Sequence, residues 1–190
     1  MNYRMAILAS GAGSNARNII DQFRNSEVVE VVLVASNKAD AGVLKIAHEN
    51  HIASYIITKE NFREGDMFSD VLNSHGVNFI VLAGFLWKVP AHLIRAFDKR
   101  IINIHPALLP KFGGKGMYGN HVHEAIHAAR EIETGITIHY VNENYDEGDI
   151  IFQARIPVMK TDSPKDIEMK VRALEMKHFP KAIEDLLTNK

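Results

Sequence analysis

Two polar side chains interrupt an apolar segment near the middle of the chain. Residues 102–110, INIHPALLP, place Asn103 and His105 at alternate positions. Alternate side chains of a β-strand share a face, and Pro106 cannot continue the strand, so we expect His105 at its end. An amide that donates to an oxyanion and an imidazole that carries a proton suit acyl transfer. Two side chains hydrogen-bonded at the edge of a core would produce the same pattern.

A second candidate group lies in the acidic segment 142–151, NENYDEGDII. Its spacing does not distinguish Asp146, Glu147 and Asp149, and an ordinary acidic turn would look similar. A carboxylate close to His105 would raise the pKa of that imidazole and make it a general acid. The chain has no cysteine and no serine near these residues in sequence. We therefore expect the attacking group to belong to the substrate.

A glycine-rich stretch, LASGAGSNA at 8–16, joins the first predicted strand to the first predicted helix. Its glycines permit a tight turn, and Ser14, Asn15 and the free N–H groups of a helix start can bind an anion such as phosphate. The same stretch fits the relaxed dinucleotide pattern GxGxxA. That interpretation requires an acidic residue about 20 positions later, where residues 36–38 are SNK. A purely structural turn is the third interpretation.

The run HEAIH, from His123 to His127, fits the HExxH pattern of zinc metalloproteases. The predicted helix that carries it is short and follows a glycine-rich loop, within a pattern typical of α/β proteins. We expect a surface or pocket-edge helix there and no metal site.

Short apolar runs alternate with segments of helical period, and continuous apolar strands indicate a sheet covered on both faces. The sequence predicts a single domain with an open, mostly parallel, twisted sheet, helices on both faces and an antiparallel strand near the C-terminus, a Rossmann-like α/β fold. The predicted strands are 5–10, 28–36, 54–58, 79–84, 100–105, 135–141 and 150–158. The predicted helices are 15–24, 41–50, 62–75, 90–96, 122–130 and one that begins at 163–164 and is kinked or divided at Pro180.

Composition narrows the classes of function. The 190 residues carry a net charge of −1, and 46% of them are hydrophobic. No overall positive charge attracts nucleic acid or an anionic membrane. The start of the chain does not fit a signal peptide, and cysteine is absent, so we expect a cytoplasmic protein that binds neither nucleic acid nor membranes.

Six segments, in order along nearly the whole chain, resemble the phosphoribosylglycinamide formyltransferase family of purine biosynthesis. They are 10–15 (SGAGSN), 36–40 (SNKAD), 82–85 (LAGF), 103–110 (NIHPALLP), 135–139 (GITIH) and 146–151 (DEGDII). The resemblance implies an enzyme that transfers the formyl group of 10-formyltetrahydrofolate to the amine of glycinamide ribonucleotide. It implies direct attack by the amine, with Asn103 and a protonated His105 stabilising the oxyanion and Asp146 supporting the charge on His105 during proton transfer. It implies no metal and no tightly bound cofactor.

The resemblance also assigns roles to residues of this sequence. The catalytic residues would be Asn103, His105 and Asp146. The residues binding glycinamide ribonucleotide would be Gly13, Ser14, Asn15, Pro106, Arg172 and Glu175. The folate site would comprise Leu86, Trp87, Lys88, Val89, Asn103, Val141 and Asp146.

Two segments depart from the family pattern. The loop 111–120 is longer and richer in glycine and lysine, which leaves open whether His121 or His123 borders the pocket. The segment 60–68 lacks an arginine at the position where some relatives contact folate, and the nearby Arg63 leaves open whether an arginine contacts folate here.

The resemblance also bears on domain organisation. We expect one domain over 1–190, with a phosphate-binding half at 1–100 and a catalytic and folate-binding half at 101–190. Related formyl-handling enzymes carry an additional domain, for which this chain is too short. A monomer and a homodimer are both compatible with the sequence, and a nucleotide-binding module without transferase chemistry is the competing hypothesis.

Overall fold

The computed structural model describes residues 2–63 and 67–188. The strands are β1 (Tyr3–Leu8), β2 (Val29–Ser36), β3 (Ala53–Ile56), β4 (Phe79–Leu82), β5 (Ile101–His105), β6 (Glu133–Tyr140) and β7 (Ile150–Pro157). The helices are α1 (Ser14–Phe23), α2 (Gly42–Glu49), α3 (Lys59–Arg63), α4 (Met67–Ser74), α5 (Ala91–Ala96), α6 (Asn120–Ala128) and α7 (Pro164–Thr188).

The strands form one seven-stranded sheet in the order β3-β2-β1-β4-β5-β6-β7. The neighbouring strands from β3 to β5 are parallel, whereas β6 is antiparallel to both β5 and β7. This arrangement confirms the predicted fold class, with β6 as the reversed strand. The carboxyl ends of β1, β2, β4 and β5 consequently meet at one edge of the sheet, where ligands bind in open α/β sheets.

Both faces of the sheet are buried, because alternate side chains of its strands enter two separate cores. In β1, Met5 and Ile7 belong to the core that also contains residues of α1, α2, α6 and α7. Ala6 and Leu8 belong to the core formed with α3, α4 and α5. This explains why the strands read as continuous apolar runs in the sequence.

The C-terminal helix α7 continues through Pro180, so of the two predicted effects of this proline, a kink or a division, the helix is not divided. A proline has no N–H, so the carbonyl four residues earlier loses its helical partner. That carbonyl, of Met176, accepts a hydrogen bond from Nδ2 of Asn18 in α1. The side chain of another helix thus replaces the missing donor.

The predicted amphipathic helix 62–75 is matched only in part. Residues 64–66, near its start, lie outside the described residues, whereas α3 ends at Arg63 and α4 (Met67–Ser74) lies within the predicted range.

The loop between β1 and α1 depends on a glycine. Gly13 immediately precedes α1 and has a φ of 83°, in the left-handed region that favours glycine. A Cβ atom at this position would lie 2.8 Å from both Cα and Cβ of Val43 in α2. The backbone turn therefore allows α1 and α2 to pack closely behind the loop.

Replacing Gly13 with alanine should destabilise the fold by about 1–3 kcal/mol, because the new Cβ would combine an unfavourable φ with a backbone clash. Urea or thermal unfolding measures this loss. Gly11→Ala is the matched control, since nothing lies within 4 Å of a Cβ there and its φ is not left-handed. Equal stability of the two variants would contradict the assigned role of Gly13.

Candidate functional site

A cavity of about 720 Å³ lies at the carboxyl edge of the sheet. Its volume is in the range of sites for small organic ligands. Asn103, His105 and Asp146 line it, so the structure brings together the three residues expected to be catalytic. The other walls come from the loop after β1, the segment after β4, the loop 114–119, α6 and α7.

Asn103 is held by the reversed strand. It lies opposite His139 in the β5–β6 pair, and its Nδ2 donates a hydrogen bond to Nε2 of His139 at 3.1 Å. Nδ1 of His139 in turn donates to the carbonyl oxygen of Tyr140 at 2.8 Å. An amide nitrogen carries two hydrogens, so the second N–H of Asn103 is available to a ligand in the cavity.

His105 lies at the end of β5, as the sequence predicted, and is 3% exposed. Its Nε2 donates a hydrogen bond to the carbonyl oxygen of Phe112 at 2.7 Å. Its Nδ1 lies 3.5 Å from Oδ2 of Asp146. Both ring nitrogens are thus oriented by the loop segments around the cavity.

Asp146 is the member of the acidic segment that faces the histidines. Its φ of 57° is left-handed, which is uncommon outside glycine. Oδ2 accepts a hydrogen bond from the N–H of Gly114 at 2.9 Å, and Oδ1 lies 3.6 Å from Nε2 of His139. By contrast, the carboxylate of Glu147 bonds to Asn144, and neither Glu147 nor Asp149 lines the cavity.

The pKa of His105 shifts in the direction opposite to the one that the sequence predicts. Burial lowers the pKa of His105 and outweighs the opposing effects of Asp146 and the Phe112 carbonyl, so the net shift is downward. For Asp146, burial raises the pKa, but the imidazoles of His139 and His105 and the N–H of Gly114 more than compensate and hold it below its usual range. At neutral pH these two downward shifts favour a charged Asp146 carboxylate beside a neutral His105 imidazole.

The loop after β1, which the sequence predicts to bind phosphate, lies at another wall of the cavity. Ser14 and Asn15 line it, together with Arg172 and Glu175 of α7, whereas Gly13 is not among the lining residues. Nδ2 of Asn15 donates to Oε2 of Glu175 at 2.9 Å. Burial raises the pKa of Glu175, opposed by Asn15 and Arg172. A polar surface from two helices therefore faces the cavity.

Asn37, which follows β2, is hydrogen-bonded to Ser10 in the loop after β1, and no acidic residue occupies its position. The hydroxyl of Ser10 donates to Oδ1 of Asn37 at 2.6 Å and accepts from the N–H of Leu86 at 2.9 Å. The acidic side chain that dinucleotide sites use at this position is replaced by Asn37, which is already hydrogen-bonded. The structure therefore does not favour the dinucleotide interpretation.

The segment expected to bind folate lines the cavity, and its tryptophan contacts neighbouring aromatic rings. Leu86, Trp87, Lys88 and Val89 all line it, as does Val141. The ring centroid of Trp87 lies 6.0 Å from that of Phe62 and 6.4 Å from that of Phe85. Nζ of Lys88 lies 5.3 Å from the ring centroid of Tyr145.

Arg63 does not line the cavity. The segment 60–68, which borders the folate site in some relatives, includes residues 64–66, outside the described residues.

The histidines of α6 have different surroundings. His123 is buried and lines the cavity, whereas His121 is exposed and lies 3.5 Å from Glu124. His127 is also exposed, so the HExxH pattern does not direct both histidines to one site. Within residues 2–63 and 67–188, no group of three or more histidine and acidic side chains is arranged to hold a metal ion.

Sequence reasoning did not assign a role to His139 or Thr137. Thr137 lies opposite His105 in the β5–β6 pair, and its hydroxyl donates to the carbonyl of Ala107 and accepts from the N–H of Leu109. Gln153 of β7 donates to the same hydroxyl. The polar residues in the GITIH motif are the signal that could have indicated both, given the strand register.

None of the helices formed by the described residues is long and apolar enough to cross a membrane.

Residues 3–183 match the family model described as Formyl transferase. The chain is 40% identical over 186 residues to "Phosphoribosylglycinamide formyltransferase, chloroplastic" of Arabidopsis thaliana, covering 95% of this chain and 64% of the relative. The chain therefore spans less than two thirds of that relative's length. It is 36% identical over 186 residues to the phosphoribosylglycinamide formyltransferase of Haemophilus influenzae, covering 95% of this chain and 85% of the relative.

Among solved structures, the fold is similar to that of phosphoribosylglycinamide formyltransferase from Anaplasma phagocytophilum. The TM-score is 0.90 at 32% sequence identity, covering 100% of this chain and 88% of the other.

The stability of the folded chain should depend on pH through its two buried histidines. Burial lowers the pKa of both His105 and His123 below the usual 6.5. The unfolded chain then binds more protons in the range just below 6.5, so each histidine's contribution to stability is lost as the pH falls through that range. Glu175, with its raised pKa, acts in the opposite sense.

Urea unfolding of the wild type, His105→Gln and His123→Gln at a series of pH values isolates these contributions. Between about pH 5 and 7 the free energy of unfolding should change less steeply with pH in each variant than in the wild type. Parallel curves for all three chains would contradict the lowered pKa values.

Proposed function

The chain belongs to the formyl transferase family, and we propose that it transfers the formyl group of 10-formyltetrahydrofolate to the amine of glycinamide ribonucleotide. The products would be formylglycinamide ribonucleotide and tetrahydrofolate, in the synthesis of the purine IMP. The names of the Arabidopsis and Haemophilus relatives support this activity.

One observation carries the proposal: Asn103, His105 and Asp146 line a single cavity whose walls also include a phosphate-loop region and a more apolar segment. Ser14 and Asn15 lie on the first of these walls, and the segment 86–89 forms the second. A phosphorylated amine and a flat heteroaromatic formyl donor could therefore meet at the polar residues of β5.

The reaction would begin with attack of the substrate amine on the formyl carbon. A C–N bond forms, and the C=O π electrons move to the oxygen, which becomes an oxyanion. The free N–H of Asn103 donates to this oxygen, because His139 already fixes the orientation of the amide. The carbon–nitrogen bond to folate then breaks, and its electron pair returns to the folate nitrogen.

A proton must move from the attacking amine to the departing folate nitrogen. His105 is suited to carry it, since burial keeps the imidazole neutral before the reaction and Asp146 stabilises the imidazolium once it forms. Asp146 itself stays ionised throughout. The attacking nitrogen comes from the substrate, in keeping with the absence of cysteine.

The other predicted binding residues are assigned to the two substrates by the region of the cavity in which they lie. Ser14, Asn15 and Arg172 would hold the phosphate of glycinamide ribonucleotide, with Gly13 shaping the loop. Pro106 and Glu175 would contact the rest of that substrate. Folate would lie on Leu86, Trp87, Lys88, Val89 and Val141, next to Asn103 and Asp146.

Several sequence expectations remain predictions. They are the division into a phosphate-binding half (1–100) and a catalytic half (101–190), a cytoplasmic location, a monomeric or homodimeric state, and the absence of nucleic-acid partners and of a metal.

Formyl transfer followed with and without glycinamide ribonucleotide tests the proposed function. We expect tetrahydrofolate to form only when both substrates are present. Removing an oxyanion donor typically lowers turnover by about 100-fold to 1,000-fold, so Asn103→Ala should lose activity to that extent. His105→Ala should also be severely impaired, because the proton carrier is lost.

Asn73→Ala, which alters an exposed residue of α4, is the matched control and should retain full activity. Release of formate independent of glycinamide ribonucleotide, or tight NAD binding without folate turnover, would refute the proposed function. Full activity of His105→Ala would refute the mechanism.

A further inference from the structure

His123 is a buried histidine of the cavity wall that the mechanism above does not use. It lies in the first half of α6, is 6% exposed and lines the cavity. His121, two residues earlier, has a side chain that is 64% exposed. It makes an edge contact with the ring of Tyr118 at 5.6 Å. The two histidines therefore differ in environment although they are close in sequence.

The imidazole of His123 has unmet hydrogen-bonding capacity. Its Nδ1 is buried and has no partner among the described residues, and the same is true of Oδ1 of Asn15, which lines the same cavity. Leaving a buried polar atom unpaired costs free energy that a ligand group can recover. Two such atoms at one cavity indicate a polar ligand that contacts this wall.

The surroundings of His123 define which part of a ligand would reach it. Electrostatic interactions couple it to Glu168 of α7 and to His105 of β5. Glu168, Arg172 and Glu175 line the cavity on α7. His123 therefore interacts both with His105, at the proposed reaction centre, and with Glu168 on the α7 wall of the same cavity.

The protonation state of His123 fits a neutral polar partner. Burial lowers its pKa, Glu168 opposes this shift, and His105 adds to it. A neutral imidazole has one N–H donor and one acceptor nitrogen. Hydroxyl and amide groups, which occur in the sugar and glycinamide parts of the substrate, provide the complementary acceptor and donor.

We propose that His123 is a positioning residue that hydrogen-bonds the sugar–glycinamide portion of the amine substrate, between its phosphate and its reacting amine. This inference rests on the proposed function. His123 would orient the amine toward the formyl carbon without touching the folate. Its removal should therefore affect one substrate and not the other.

Steady-state kinetics with each substrate varied in turn test this role in His123→Leu and His123→Asn. The leucine variant should raise KM for glycinamide ribonucleotide roughly tenfold, the loss expected for one hydrogen bond. Its KM for 10-formyltetrahydrofolate should stay within about twofold of the wild type, since no folate contact is removed. The asparagine variant, whose amide can occupy the position of Nδ1, should recover part of the loss.

His121→Leu is the matched control and should leave both KM values unchanged. Thermal unfolding of each variant identifies damage to the fold, and if the leucine variant unfolds, the asparagine variant decides the question. An unchanged KM for glycinamide ribonucleotide in a folded His123 variant, or an equal rise for both substrates, would overturn the inference while the wild type remained active. Absence of wild-type transfer would overturn the proposed function, and this inference with it.

Discussion

The carboxylate of Asp146 connects the parts of this site. One oxygen accepts the N–H of Gly114 and lies 3.5 Å from His105, and the other lies 3.6 Å from His139. Through these contacts the Asp146 side chain links the antiparallel strands β5 and β6 to the loop 111–120. The backbone at Asp146 is left-handed, with a φ of 57°, a conformation that persists only when the surroundings fix it.

This arrangement balances two opposing effects on His105. Burial disfavours the charged imidazole, whereas the nearby carboxylate favours it, and burial prevails. A fully exposed histidine would gain little from Asp146 because water screens the interaction. A buried histidine without the carboxylate would accept a proton less readily, because nothing would offset the effect of burial on the charged imidazole. Burial and a nearby carboxylate together give a base that starts neutral and becomes a stabilised cation.

The sheet topology explains why these residues meet. Asn103 and His105 share a face of β5 because strand side chains alternate, and this part of the site was predictable from the sequence. Asp146 could be chosen from its acidic neighbours only through family resemblance. Its selection in the structure depends on the path of a loop, which residue spacing does not determine.

Other features could not be predicted because they depend on contacts between distant elements. The register of β5 on β6 pairs Asn103 with His139, and no local pattern fixes that register. The donor that replaces the missing N–H of Pro180 in α7 comes from Asn18, which lies more than 150 residues away in the sequence. The direction of the pKa shift of His105 depends on how deeply the fold buries it, which proximity to a carboxylate alone does not reveal.

Proton transfer in this site depends on the action of the Asp146 carboxylate on His105. Titration of the His105 imidazole by nuclear magnetic resonance, in the wild type and in Asp146→Asn, tests this interaction. Since Asp146 raises the pKa of His105 against the effect of burial, removing its charge should lower that pKa further. A pKa of His105 that is unchanged or higher in Asp146→Asn would contradict the account.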